Sequence, residues 1–114
     1  MKAWALFLAG SFAWAADSNT TIKGWVIDSA CTFTKQLDKP ISTECAVACA
    51  RKGSPLVIQS DNGTIYLPVS EKMPSSSQNP RLIPFAGKRV VVIGKTYERS
   101  GAHAISIARV EAEK

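Results

Sequence analysis

The sequence predicts a mainly β protein, a small five-stranded barrel with one short helix between strands 1 and 2. Five segments are rich in β-branched and aromatic residues and are bounded by turn residues, which is typical of strands. One further stretch carries signals for both ends of a helix. Roughly a hundred residues follow the N-terminal segment, which is enough for one domain of this kind. The five predicted strands are 22–28, 56–60, 64–69, 88–97 and 102–110.

The first 15 residues predict a secretory signal peptide. Lys2 is followed by an unbroken run of small and apolar residues, and Ala13-Trp14-Ala15 has the small-x-small pattern of a cleavage site. The run is too short to span a bilayer, which needs about 20 apolar residues. We therefore expect cleavage after Ala15 or Ala16, a single domain over residues 16–114, a periplasmic or secreted location, and no transmembrane segment in the mature chain.

The charge balance is mildly basic. Loss of Lys2 with the signal peptide lowers the formal net charge from +5 to +4. The positive residues are scattered, and pairs such as Arg51-Lys52 and Lys88-Arg89 are typical of solvated ends of elements. We therefore expect no nucleic-acid partner. An anionic envelope component or another exported protein is the expected partner class, and we expect the domain to be a monomer.

The predicted helix lies between strands 1 and 2. Ser42 or Thr43 suits its N-cap, Arg51-Lys52 suits its last turn, and Gly53 follows where a left-handed residue is favoured. Residues 31–40 have no clear periodicity, so we predict a loop before this helix.

The second half of the chain predicts two hairpins. Asp61-Asn62-Gly63 is a strong turn signal, and the strand after it alternates, which predicts that Ile65, Leu67 and Val69 share one face. Pro68 predicts a position at the sheet edge because proline cannot donate to a strand ladder. The last two strands are predicted to turn at residues 99–101.

Two further segments complete the predicted barrel. Residues 71–81 are polar and rich in Ser and Pro, so we predict a flexible loop. Residues 82–87 are mostly apolar and are expected to close one end of the sheet. The uninterrupted apolar run of residues 90–93 predicts a strand covered on both faces.

Several motifs together resemble small exported bacterial proteins with an OB-fold-like β-barrel. The resemblance spans nearly the whole mature chain and implies a five-stranded OB-like small barrel in the cell envelope, but it transfers no activity. Some of those proteins have a His soon after the first cysteine, where this chain has Thr32-Phe33-Thr34, and this departure weakens the case for a Cys/His metal site. The motifs are Gly24-Trp25-Val26-Ile27-Asp28-Ser29-Ala30-Cys31, Cys45-x-x-x-Cys49 with Gly53, Asp61-Asn62-Gly63, and residues 86–94.

The three cysteines predict one disulfide and one remaining thiol. Cys45 and Cys49 lie one helical turn apart, where a bridge would strain the helix. We therefore predict a structural disulfide between Cys31 and Cys49, with Cys45 as the alternative partner for Cys31. A bridge closing a loop of about 14 to 18 residues stabilises a domain by roughly 3 kcal/mol.

Two other functions of the cysteines stay open. Cys31, Cys45 and Cys49 together suit a soft metal, either Cu(I) or Zn²⁺ with an outside fourth ligand. Cys45 also lies in the first turn of the predicted helix, where the pKa of a thiol falls, so a thiol-redox partner is a further hypothesis. The chain lacks the C-x-x-C motif that is typical of such partners.

The remaining polar residues do not predict an enzyme. His103 is the only histidine, so no His pair and no Ser-His-Asp set is identifiable, and its position in a strand is typical of a half-exposed residue. Asp28-Ser29 predicts a local turn. We therefore predict an exported binding or scaffold domain stapled by one disulfide, without a cofactor and with an unknown ligand. Metal handling and thiol redox are the alternatives.

Overall fold

A computed structural model describes residues 19–40 and 42–114 and forms a closed five-stranded β-barrel. The strand order around the barrel is β1-β2-β3-β5-β4, and β4 returns to β1. Neighbouring strands are antiparallel except β3 and β5, which are parallel. The predicted mainly β, OB-like small barrel is thus confirmed, while the predicted signal peptide lies outside the described residues. The strands are β1 Thr20–Asp28, β2 Leu56–Ser60, β3 Ile65–Pro68, β4 Arg89–Arg99 and β5 Ala102–Ala112.

Two helices, rather than the predicted one, connect β1 to β2. Helix α2, Thr43–Arg51, begins where the sequence predicts, because the Ser42 side chain accepts a hydrogen bond from the Cys45 amide at 3.0 Å. Gly53 follows it with a φ of 105°. Helix α1, Ser29–Thr34, replaces the start of the predicted loop. None of the described helices is long and apolar enough to cross a membrane.

Helix α1 forms because its first turn is capped from β1. The Asp28 side chain accepts a hydrogen bond from the Cys31 amide at 3.0 Å, which satisfies one of the free N–H groups of the helix. The hydroxyl groups of Thr32 and Thr34 donate to backbone carbonyls four residues earlier. Asp28 therefore acts as a cap rather than as part of the predicted turn.

The barrel is filled by inward side chains, and part of the segment between β3 and β4 packs against this core. This segment contains helix α3, Asn79–Leu82, and a 3₁₀ helix, Ile83–Phe85. Leu82 and Ala86 are fully buried, in agreement with the apolar character of residues 82–87, while closure of one end of the sheet stays a prediction. The predicted loop of residues 71–81 is shorter than expected because Asn79 already begins α3. The fully buried strand residues are Val26, Ile58, Val90, Val92 and Ile105.

Ile65 and Leu67 share one face of β3, as predicted, and this face points outward, while Val69 follows the end of the strand. Tyr66 packs against the core and Pro68 is buried, whereas Leu67 is 47% exposed. Tyr66 lies directly opposite the buried Ile58 in the β2–β3 register, and opposite residues point to the same face of a sheet. Pro68 is the last residue of β3, but it does not lie at a sheet edge because β3 has a neighbour on each side.

The predicted turns are confirmed, and the prediction for residues 90–93 is only half right. Gly63 has a φ of 92° in the first hairpin, and Ser100 and Gly101 have φ values of 52° and 85° in the second. Val90 and Val92 are fully buried in the barrel. Residues 91 and 93 alternate with them and are half-buried, so β4 is fully covered on its inner face alone.

Candidate functional site: an apolar groove and a cysteine pocket

An open groove of about 610 Å³ lies between the β2–β3 hairpin and the tip of the β4–β5 hairpin. It opens because β3 and β5 pair only through Leu67 with Ala104 and Pro68 with Ile105. Closer to their turns, β3 and β5 are not paired with each other. Helix α1 forms a further wall. Its main lining side chains are Phe33, Pro55, Val57, Ile65, Leu67 and His103.

The groove is apolar and exposes large side chains to solvent. Phe33 is 64% exposed and Leu67 is 47% exposed, and both are among the four exposed large hydrophobic residues of the described chain. Among the described residues that line it, none is Asp, Glu, Lys or Arg. The groove can therefore bind an apolar group by removing Phe33 and Leu67 from water.

His103 lies in the groove wall, half-buried as the sequence predicts. Its ring meets that of Tyr66 edge to face, with ring centroids 5.7 Å apart and planes at 71°. This contact fixes the imidazole against the core. That His103 and Phe33 line one groove was not predictable from the sequence, because the two residues are distant in the chain.

A cysteine pocket lies on the other side of α1. Cys31 on α1 and Cys45 on α2 line a small cavity of about 20 Å³, which is close to the volume that one water molecule needs. Cys49 lies one turn further along α2, where residues four apart are neighbours on the helix surface. Cys45 is therefore adjacent to both of the other cysteines.

The Asp28 carboxylate is the polar centre of this pocket. Asp28 is only 4% exposed, and its second oxygen accepts a hydrogen bond from the Ser54 hydroxyl. Burial raises the pKa of Cys31, and the charges of Asp28 and Cys45 raise it further. Burial also raises the pKa of Cys49, followed by the charge of Asp28. Both thiols therefore stay protonated at neutral pH and are weak nucleophiles.

The three cysteines lie in the same part of the structure, but the disulfide and the metal site stay predictions. Cys31, Cys45 and Cys49 are free, half-buried thiols, and the disulfide between Cys31 and Cys49 remains a prediction. Cys45 lines the same cavity as Cys31, which favours the alternative disulfide between Cys31 and Cys45. Within residues 19–40 and 42–114, no three His, Cys, Asp or Glu side chains are grouped to hold a metal ion. The Cu(I) or Zn hypothesis likewise stays open.

Comparison of the chain with protein-family models, with curated proteins and with solved structures finds no match. The resemblance to exported OB-like proteins therefore stays a prediction. Function has to be argued from the groove and from the cysteine pocket.

Proposed function

We propose that the protein is an exported binding domain, stapled by one disulfide, whose ligand presents an apolar chain or ring to the groove. The observation that carries this proposal is the exposure of Phe33 and Leu67 along one concave surface. Exposed apolar surface gathered in a cleft marks binding sites more often than isolated apolar residues do. Export is supported by the apolar N-terminal segment of the sequence, residues 1–15.

Binding energy of a useful size is available from Phe33 alone. An aromatic side chain offers roughly 150 to 250 Å² of surface, and 64% of Phe33 is exposed in the free protein. At about 25 cal/mol per Å², covering that part contributes roughly 2 to 4 kcal/mol. Losing this contribution lowers affinity by roughly 30-fold or more.

Binding is a better proposal than catalysis for this groove. The aromatic contact of His103 is with Tyr66, and Asp28 uses its two oxygens to cap α1 and to hold Ser54. A general base needs a proton to abstract and a partner that orients it. The contacts of His103 and Asp28 provide neither of these. The absence of an activity is the expected outcome of substrate screens with the mature protein.

The test is titration of the mature protein with the apolar fluorescent probe N-phenyl-1-naphthylamine. We expect Phe33→Ala to weaken probe binding by roughly 30-fold, because Phe33 is the most exposed large apolar side chain that lines the groove. Met73→Ala is the matched control, since Met73 is 93% exposed and is not among the residues that line the groove. Equal affinity of Phe33→Ala and the wild-type protein would show that the groove is not the binding site.

The cysteine pocket supports a second candidate function, the handling of Cu(I) or Zn²⁺. The observation that favours it is that Cys45 adjoins both Cys31 and Cys49. Three thiolates suit a soft metal ion, and binding must release the thiol protons. Because the pKa values of Cys31 and Cys49 are raised, affinity should rise steeply with pH.

The metal hypothesis is tested by competition of the reduced protein with bathocuproine disulfonate for Cu(I) and with a zinc indicator. We expect each of Cys31→Ser, Cys45→Ser and Cys49→Ser to lose binding. Native mass spectrometry of the reduced protein that finds no bound metal after loading would exclude this candidate. The thiol-redox alternative is less well supported at Cys31 and Cys49, because their raised pKa values disfavour a reactive thiolate, and at Cys45, in the first turn of α2, it stays a prediction.

A further inference from the structure

A second cleft, polar rather than apolar, lies on the outer face of β1 and β2. Its volume is about 540 Å³, and it shares only Gly63 with the groove. Strands β1 and β2, the chain between α1 and α2, and the β2–β3 turn all contribute to it. Its side chains share an ability to form hydrogen bonds, and the main ones are Trp25, Asp38, Lys39, Gln59, Asp61 and Asn62.

The one aromatic ring among the described residues that line this polar cleft, that of Trp25, is held in place. Trp25 is half-buried, and the Arg89 guanidinium carbon lies 5.6 Å from the centre of its ring. Arg89 is itself held by ion pairs with Asp61 at 2.6 Å and with Glu113 at 2.8 Å. A ring held in place before binding loses little conformational freedom when a ligand stacks on it.

Gln59 supplies an unused hydrogen-bonding group beside that ring. Gln59 and Trp25 are direct cross-strand partners, so their side chains lie next to each other. Within the described part of the chain, Gln59 Oε1 is a buried side-chain oxygen with no hydrogen-bond partner. Proteins pair nearly all buried polar atoms. Because Gln59 lines the polar cleft, a molecule bound there is the expected source of the missing donor.

The charges around the polar cleft disfavour an ionic ligand. Asp38 and Lys39 carry opposite charges, and Asp61 is neutralised by Arg89. An anion would meet two carboxylates, and a cation would meet Lys39 and Arg89. A neutral molecule with many hydroxyl groups meets no such penalty. Its hydroxyl groups can form hydrogen bonds with the side-chain amides of Gln59 and Asn62.

We propose that the polar cleft is a binding site for a neutral saccharide. One face of a sugar ring presents C–H groups that stack on Trp25, and its rim presents hydroxyl groups to Gln59 and Asn62. The Asn62 side-chain oxygen already accepts a hydrogen bond from the Thr64 amide at 3.0 Å. This bond orients the Asn62 amide N–H groups, which are the donors for the sugar. The site is separate from the groove, so it does not depend on the function proposed above.

The test uses the mature protein and two neutral probes, chitotetraose and maltotetraose. Trp25 is the one tryptophan that remains after removal of residues 1–15, so its fluorescence reports on this cleft. We expect a saturable fluorescence change with at least one probe. In saturation-transfer NMR, we expect Trp25→Ala and Gln59→Leu to bind the saccharide roughly tenfold more weakly than the wild-type protein does. Phe33→Ala is the control and should bind the saccharide like the wild-type protein.

Two results would overturn the proposal. One is the absence of any saturable signal with either tetrasaccharide at millimolar concentration. The other is wild-type saccharide binding by both Trp25→Ala and Gln59→Leu. Both variants should keep wild-type affinity for the apolar probe, which also shows that they are folded. Failure of the saccharide proposal is therefore distinguishable from failure of the proposed binding function of the groove.

Discussion

The two sides of helix α1 differ in burial, in charge and in what they do for the fold. One side places Phe33 in the groove, where it is 64% exposed and no lining residue of the described chain is Asp, Glu, Lys or Arg. The other side places Cys31 in a pocket whose centre is the buried carboxylate of Asp28. The groove side is therefore free to change without loss of stability. The pocket side joins α1 and α2 to the end of β1.

The largest stability effect is expected at Asn79, which links the C-terminal end of α2 to the start of β2. The buried Asn79 side chain accepts a hydrogen bond from the Leu56 amide at 2.9 Å and donates to the carbonyls of Ala50 at 3.1 Å and Ser54 at 2.9 Å. Asn79→Ala leaves these groups without their partner, so we expect the free energy of unfolding to fall by roughly 3 kcal/mol. Urea denaturation measures it.

Phe33→Ala is the matched variant from the groove side. Its side chain is largely exposed, so we expect a change in unfolding free energy within about 0.5 kcal/mol. A loss in Phe33→Ala as large as in Asn79→Ala would contradict the division between a binding side and a structural side.

The next effect concerns the disulfide. Since Cys31 and Cys45 line one cavity, we expect peptide mapping of the oxidised protein to find Cys31 bridged to Cys45, leaving Cys49 as the thiol. Loss of the bridge in Cys31→Ser should lower the free energy of unfolding by roughly 3 kcal/mol or less, depending on strain. Cys49→Ser is the control and should leave the bridge intact. A bridge from Cys31 to Cys49 would instead support the pairing expected from the sequence.

The strands and the second helix were predictable because their signals are local. Turn residues such as Asp61-Asn62-Gly63 and the cap at Ser42 act through neighbouring backbone groups. The orientation of β3 was not predictable, because Ile65, Tyr66 and Leu67 are all apolar and the register with β2 decides which of them points inward. In a strand of four residues, alternation alone is a weak signal.

The candidate site was predictable in part. The cysteines were identified from their number and from the predicted export, whereas their proximity depends on how α1 and α2 pack together between β1 and β2. Helix α1 was missed because six residues are fewer than two turns, too few for periodicity. Its signal was the Asp28 cap. Phe33 was missed as well, since composition does not distinguish an exposed aromatic residue from a core one.

A smaller effect tests the electrostatics of the pocket. Asp28→Asn removes the charge but keeps an oxygen that can cap α1. We expect the pKa values of Cys31 and Cys49 to fall towards the ordinary thiol value, while burial, the larger cause, keeps them raised. Alkylation by iodoacetamide across pH 7 to 10, followed for each cysteine by mass spectrometry, measures the shift. Asp38→Asn is the control, and an unchanged profile in Asp28→Asn would show that the Asp28 charge does not act on the thiols.

The smallest effect lies away from both sides of α1, at the exposed ion pairs of Arg89. The Arg89 guanidinium holds the pKa values of Asp61 and Glu113 below their usual range. A lowered carboxyl pKa contributes stability that is present above the unfolded-state pKa, near pH 4, and is lost as the pH falls through the folded-state value. Arg89→Met should therefore lower the urea midpoint slightly at pH 7 and not at pH 2. Exposed ion pairs contribute little and are screened by salt, so the difference in urea midpoint at pH 7 should also shrink in 1 M salt. A difference in midpoint that persists at pH 2 would point to packing of Arg89 on Trp25 rather than to charge.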